Sequence, residues 1–118
     1  HIVGAESDFG AGRVWRFRSR FADQALPHAR AIQRQLAPLG IIAGDNAANG
    51  GADTGDMRQA GMPVVDLSQD GLDYFDYHHT PDDTLDKIDP EALRQNVAAW
   101  AIFTYLAADS DWVFTTPQ

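Results

Sequence analysis

The stretch from Asp89 to Ala107 constrains the fold more than any other. Asp89-Pro90-Glu91 is a helix start in three residues: an acid to cap free amides, a proline at the first helical position, and another acid on the positive end of the dipole. Beyond it Leu93, Val97, Trp100, Ala101, Ile102, Phe103, Tyr105 and Leu106 wrap most of the circumference in the helix's second half. Such a helix calls for burial on more than one side, and one thin sheet does not supply it. The tail from Ser110 reads as a loop or loosely packed end.

The segments before it alternate strand and helix. His1 to Ala5 reads as a buried strand already under way, and with a first residue other than Met the expectation is the later part of a longer chain. Glu6-Ser7-Asp8 follows, then the turn Phe9-Gly10-Ala11-Gly12. A strand ending in carboxylates before a glycine-rich turn presents ligands at a sheet edge; equally, it is a plain exit with solvated acids. Arg16, Arg18 and Arg20 alternate with Trp15, Phe17 and Ser19 at strand period. The arginines are either a patch for carboxylates, of a substrate or of the acidic loop around His79, or the charged face of a half-exposed edge strand, which is the favoured reading. Leu26, Ala29, Ile32, Leu36 and Leu39 predict an amphipathic helix from Ala25 to about Leu39. A short strand at 41–43, a short helix through Met57 and Arg58 capped by Asp53 or Thr54, and a buried strand Pro63–Leu67 complete the pattern. This is an α/β arrangement, the C-terminal portion of a mixed β-sheet flanked by helices, with too few strands for a complete doubly wound domain. The run from Asp66 to Gly71 resembles the start of a calcium loop, but its twelfth position is Tyr77, not a bidentate Glu.

Chemistry concentrates in Tyr74–Leu85, where His78 and His79 adjoin and Thr80, Asp82, Asp83 and Thr84 follow. Imidazole is the commonest protein ligand for zinc, and carboxylates nearby orient it; adjacent loop histidines are also ordinary exposed residues. The chain of 118 residues is one domain's worth, with 44% hydrophobic residues, no cysteine and a net charge of -8. That charge disfavours nucleic acid and anionic membranes, and the lack of cysteine excludes thiolate metal sites and a cysteine nucleophile. No apolar run is long enough to span a membrane.

Five segments in order carry a resemblance: Glu6-Ser7-Asp8-Phe9-Gly10, Gly50-Gly51-Ala52-Asp53, Ala60-Gly61-Met62-Pro63, His78-His79-Thr80 with Asp83-Thr84, and the helix ending Tyr105-Leu106-Ala107-Ala108-Asp109. Over nearly the whole chain they resemble the C-terminal part of the two-zinc exopeptidases of the bacterial aminopeptidase and glutamate carboxypeptidase type. The nearest subgroup is the carboxypeptidase Q dipeptidases. The resemblance implies that 1–118 is the C-terminal part of a metallopeptidase catalytic domain on the zinc-dependent exopeptidase fold. It implies Asp8 as a ligand of one zinc and His79, directly before the threonine of T-x-x-D-T, as a ligand of the other. It gives His78, Asp53 and Asp83 supporting or substrate-facing roles.

It also implies that the remaining ligands, the bridging aspartate and the general-base glutamate lie upstream of His1, so this chain alone is expected to be inactive. The substrate implied is a short peptide. The implied partners are the missing N-terminal half or a second copy. The subgroup implies a secreted or periplasmic location. Two other readings stay open: a glutaminyl cyclase-like acyltransferase on the same fold, which the H-H-T and G-G-A-D segments fit less well, and a non-catalytic relative. His78 is expected on the opposite side of an extended segment from His79, with Thr80 held extended by Pro81.

Overall fold

The computed structural model describes residues 1–115. Its sheet has three strands: β1 (Val14–Arg20), β2 (Ile42–Ala43) and β3 (Val64–Gln69). Their order is β2-β1-β3, with β1 parallel to β2 and antiparallel to β3. Helix α1 (Leu26–Leu36) connects β1 to β2, α2 (Gly55–Gln59) precedes β3, α3 (Tyr74–Tyr77) follows it, and α4 (Pro90–Asp109) closes the chain. The core joins Phe17 of β1 and Val65 and Leu67 of β3 to Ile32 and Leu36 of α1 and to Ala99 and Phe103 of α4.

The arginine-rich segment is the central strand, not an edge. Two of its charges are met by polar partners: Arg18 bonds Asp45 through Nε at 2.8 Å and lies 3.5 Å from Asp66 on β3, and Arg20 Nε donates to the Ala48 carbonyl, whereas Arg16 lies over the Trp15 ring and its Nε has no partner among the described residues. The acids around His79 are not their partners. The register shifts between Val14 and Arg16, so Trp15 is an extra residue on β1. That bulge puts both Val14 and Phe17 into the core and leaves Trp15 43% exposed.

Two expectations at the ends of the chain change. His1–Ala5 is not a strand. Gly4 alone bridges Val64, its amide bonding the Pro63 carbonyl and its carbonyl the Val65 amide, before the segments part. The tail after Ser110 is irregular, yet Phe114 is buried, packed on Phe21 at 4.6 Å and bonded through its carbonyl to the Ala22 amide.

Helix α4 begins as its sequence requires, with Asp89 Oδ1 accepting from the Glu91 amide at 3.0 Å. It is buried along one side only, through Ala92, Gln95, Asn96, Ala99, Phe103 and Ala107, whereas Leu93, Val97 and Tyr105 face out. Gln95 takes the place beside Val14 that β2, pairing only with Arg16 and Phe17, does not reach. Its side-chain amide accepts from Val14 N at 2.8 Å and donates to Val14 O at 2.6 Å, as a neighbouring strand would. No helix among the described residues is long and apolar enough to cross a membrane.

Candidate active-site cleft

The turn leading into β1 and the segment after β3 enclose a cleft of about 390 Å³. Phe9 to Arg13 form one wall, and Asp70 to His78, Asp83, Thr84 and Lys87 to Asp89 the other. The first wall is rigid because interior amides hold its carbonyls. Gln69 Nε2 donates to Gly10 O at 2.8 Å, Asn96 Nδ2 to Gly12 O, and the Asp70 amide to Arg13 O at 2.8 Å.

An aromatic stack joins the walls. Phe9 stacks on Tyr74 at 4.2 Å, Tyr74 on His78 at 4.7 Å, and His78 on His79 at 3.8 Å. The stack runs from Phe9, next in sequence to Asp8, to His79. The two histidines are therefore not on opposite sides of an extended segment. Helix α3 ends with the His78 amide bonded to Tyr74 O, and Thr80 folds back with both amide and hydroxyl on Tyr77 O. That turn brings the rings face to face. His79 has φ 57, the one non-glycine residue with positive φ among those described. Such a conformation costs on the order of 1–3 kcal/mol and persists where the surroundings impose it.

His78 and Asp83 line the cleft, while Asp8, His79 and Asp53 lie outside its lining. Asp53 meets the E-S-D segment instead: its amide donates to Glu6 Oε2 at 2.7 Å. Thr54 stands at the N-cap of α2 without a capping bond, because its hydroxyl donates to Gly50 O at 2.8 Å. Asp66 receives the Asn49 and Gly50 amides at 2.8 and 2.7 Å. Asp83 is exposed, its amide bonded to Thr80 O. Sequence reasoning missed Phe9, Tyr74, Glu6 and Asp66. The first three adjoin or belong to motifs already singled out.

As metal donors, Asp8 and His79 are exposed and enter no salt bridge among the described residues. A carboxylate and an imidazole in that state fit as terminal donors. They do not complete a site. Among the described residues no three His, Asp or Glu side chains come together to hold an ion, and zinc takes three or four protein ligands.

The perturbed acid near the sheet is Asp45, lowered from its ordinary value because Arg18 donates to it and the Ala47 amide adds a second bond. Arg18 is raised in turn, first by that same bond.

The mixed sheet, its flanking helices and the two motif-bearing walls define the chain as part of an α/β peptidase-type domain. The model of Peptidase family M28 matches residues 6–104, and the chain belongs to that family. It is 37% identical over 90 residues to carboxypeptidase Q of Rattus norvegicus, covering 76% of this chain and 19% of that protein. It is 35% identical over 88 residues to carboxypeptidase Q of Homo sapiens, covering 70% of this chain and 18% of that one. A crystal structure of a peptidase M28 precursor from Shewanella amazonensis superposes with a TM-score of 0.92 at 49% identity, over 100% of this chain and 27% of that one. The chain thus spans about a fifth of the length of these curated relatives.

Proposed function

We propose that this chain is the C-terminal part of the catalytic domain of a zinc-dependent exopeptidase that hydrolyses short peptides. Asp8 and His79 each give one terminal donor to a different ion, and a further segment supplies the remaining donors and the general base. A bound zinc pair supplies an activated water and a polarised carbonyl. This chain's own part is to orient. The stack fixes His78 and His79 against the Phe9 wall, His78 and Asp83 face the substrate, and Glu6 holds the turn that carries Asp53. The observation that supports the reading is the stack linking Phe9, beside the E-S-D segment, to His79 of the H-H-T segment, within a chain of this family.

The further segment also has somewhere to dock. Beyond the Gly4 bridge, the outer edge of β3 carries no strand among the described residues. Beside it Leu93, Val97 and Trp100 of α4 line a second hollow with Ser7, Gly10 and Gln69. An apolar hollow next to an unpaired strand edge is a surface to be covered, and the rest of the catalytic domain is the occupant proposed.

The test is a graft. This chain replaces the matching 27% of the Shewanella peptidase, and dipeptide hydrolysis is followed with and without chelator. Chelator-sensitive turnover by the graft, lost with Asp8→Ala or His79→Ala, supports the reading. A folded graft that keeps its metal and turnover in both variants overturns it, as does robust chelator-sensitive hydrolysis by the chain alone.

A further inference from the structure

We infer that Glu6 is a positioning residue that makes the E-S-D and G-G-A-D motifs one mechanical unit. Its carboxylate oxygen accepts the Asp53 amide at 2.7 Å across a long sequence separation. The fit is close on the other side too. A Cβ added to Gly51 would run into that carboxylate, and Gly51 has φ 97, a conformation side chains rarely adopt. Gly50, at φ 84, likewise has no room, lying against Thr54 Oγ1 and the Val64 side chain. Gly51 is thus required by the Glu6 carboxylate and Gly50 by Thr54 and Val64, all of the same chain.

The turn is held from two directions. Glu6 takes the Asp53 amide, and Asp66 on β3 takes those of Asn49 and Gly50. Asp66 is anchored by Arg18 and the sheet. Glu6 belongs to the segment that leaves the sheet at the Gly4 bridge and carries Asp8 two residues on. The Glu6 bond therefore does more than close a loop. It ties the segment bearing Asp8 to a turn fixed on the sheet, where Asp8 is itself exposed and without an ion pair. A lone terminal donor on an irregular segment needs such a brace, because groups that orient a metal ligand are commonly worth ~10–100-fold in affinity.

This inference rests on the assignment of Asp8 as a metal donor, and the experiment separates the two. In the chain as given, amide hydrogen exchange is measured for Asp53 in the parent sequence and in Glu6→Ala, Glu6→Asp and Glu6→Gln. Expected is faster exchange at Asp53, by about tenfold or more, in the Ala and Asp variants. Gln, which keeps an acceptor oxygen at the same reach, should retain protection, with β1 and β3 amides unchanged throughout. In the graft, zinc affinity should fall on the order of 10–100-fold for Glu6→Ala and Glu6→Asp and recover with Glu6→Gln. Unchanged exchange at Asp53 in both weakened variants overturns the clamp. Lost protection with unaltered zinc affinity overturns the positioning role. If Asp8→Ala itself leaves zinc affinity intact, the donor assignment fails, whatever the exchange data say about the clamp.

Discussion

Replacing Gln95 with leucine should destabilise the domain more than any other single change of a polar side chain on α4. Gln95 is 6% exposed, and its amide satisfies both backbone groups of Val14, at 2.8 and 2.6 Å, where β2, which pairs only with Arg16 and Phe17, does not extend. Leucine has similar bulk and no polar atoms, so the loss falls on the backbone. Each buried group left unsatisfied costs about 1–3 kcal/mol, giving about 2–6 kcal/mol for the pair. Against a domain stability of about 5–15 kcal/mol this is a large fraction. With a urea slope of about 1–3 kcal/mol/M the midpoint should drop by about 1–3 M. Gln95→Glu keeps an acceptor for the Val14 amide but no donor for its carbonyl, and should lie between. The control is Gln35→Leu on the exposed side of α1, expected within about 0.5 kcal/mol of the parent. A midpoint shift for Gln95→Leu no larger than the control's, at unchanged slope, would refute the claim that this side chain stands in for a strand.

The histidines should separate in the graft: His79→Ala should strip or loosen one metal and abolish turnover, whereas His78→Ala should keep both and mainly raise KM. Metal analysis decides it, and zinc loss confined to the His78 variant would reverse the assignment. Asp45 is held low by Arg18, so its contribution to stability is present above its unfolded value of about 3.9 and is lost as pH falls through the lower folded value. Arg18→Gln should therefore flatten the acid limb of the stability profile below about pH 4, seen by urea midpoints at successive pH values, and an unchanged limb would count against the pair. The α4 hollow predicts that the chain by itself associates or binds apolar dye, and that Leu93→Gln with Val97→Gln reduces both; a monodisperse, dye-silent parent chain would argue otherwise.

The helices were legible because local rules set them. Asp89-Pro90-Glu91 starts α4 at the expected residue, and the Leu26–Leu39 spacing locates α1 and the tight turn that ends it. The central place of β1 was not legible. Alternating arginines look like an edge until the acids that meet them are known, and Asp45 and Asp66 come from segments distant in sequence. The side-by-side histidines were misread for a related reason. Their relative orientation depends on α3 ending at Tyr77 and on the left-handed turn at His79, and neither the hydrophobic pattern nor Pro81 encodes that turn. The α4 circumference was read correctly as apolar, yet the sheet and α1 cover only one side of it, which is why Leu93 and Val97 remain outside.

The two walls of the cleft differ in how they are built, and that difference bears on where its selectivity resides. The Gly10–Arg13 wall is fixed from behind: Gln69, Asn96 and the Asp70 amide take carbonyls along it. At Gly12 a Cβ would collide with the Asp70 carbonyl, so this wall cannot vary without moving β3. The opposite wall, from Leu72 to Lys87, is held by short-range bonds within its own turns and leaves Leu72, Phe75 and Leu85 largely exposed. Packed backbone transmits strain, whereas a surface segment with few buried contacts absorbs substitution cheaply. Selectivity between ligands should then change through residues of the second wall such as Tyr77, Asp83 and Lys87, with the Phe9 wall serving as the fixed reference against which the histidine stack is set.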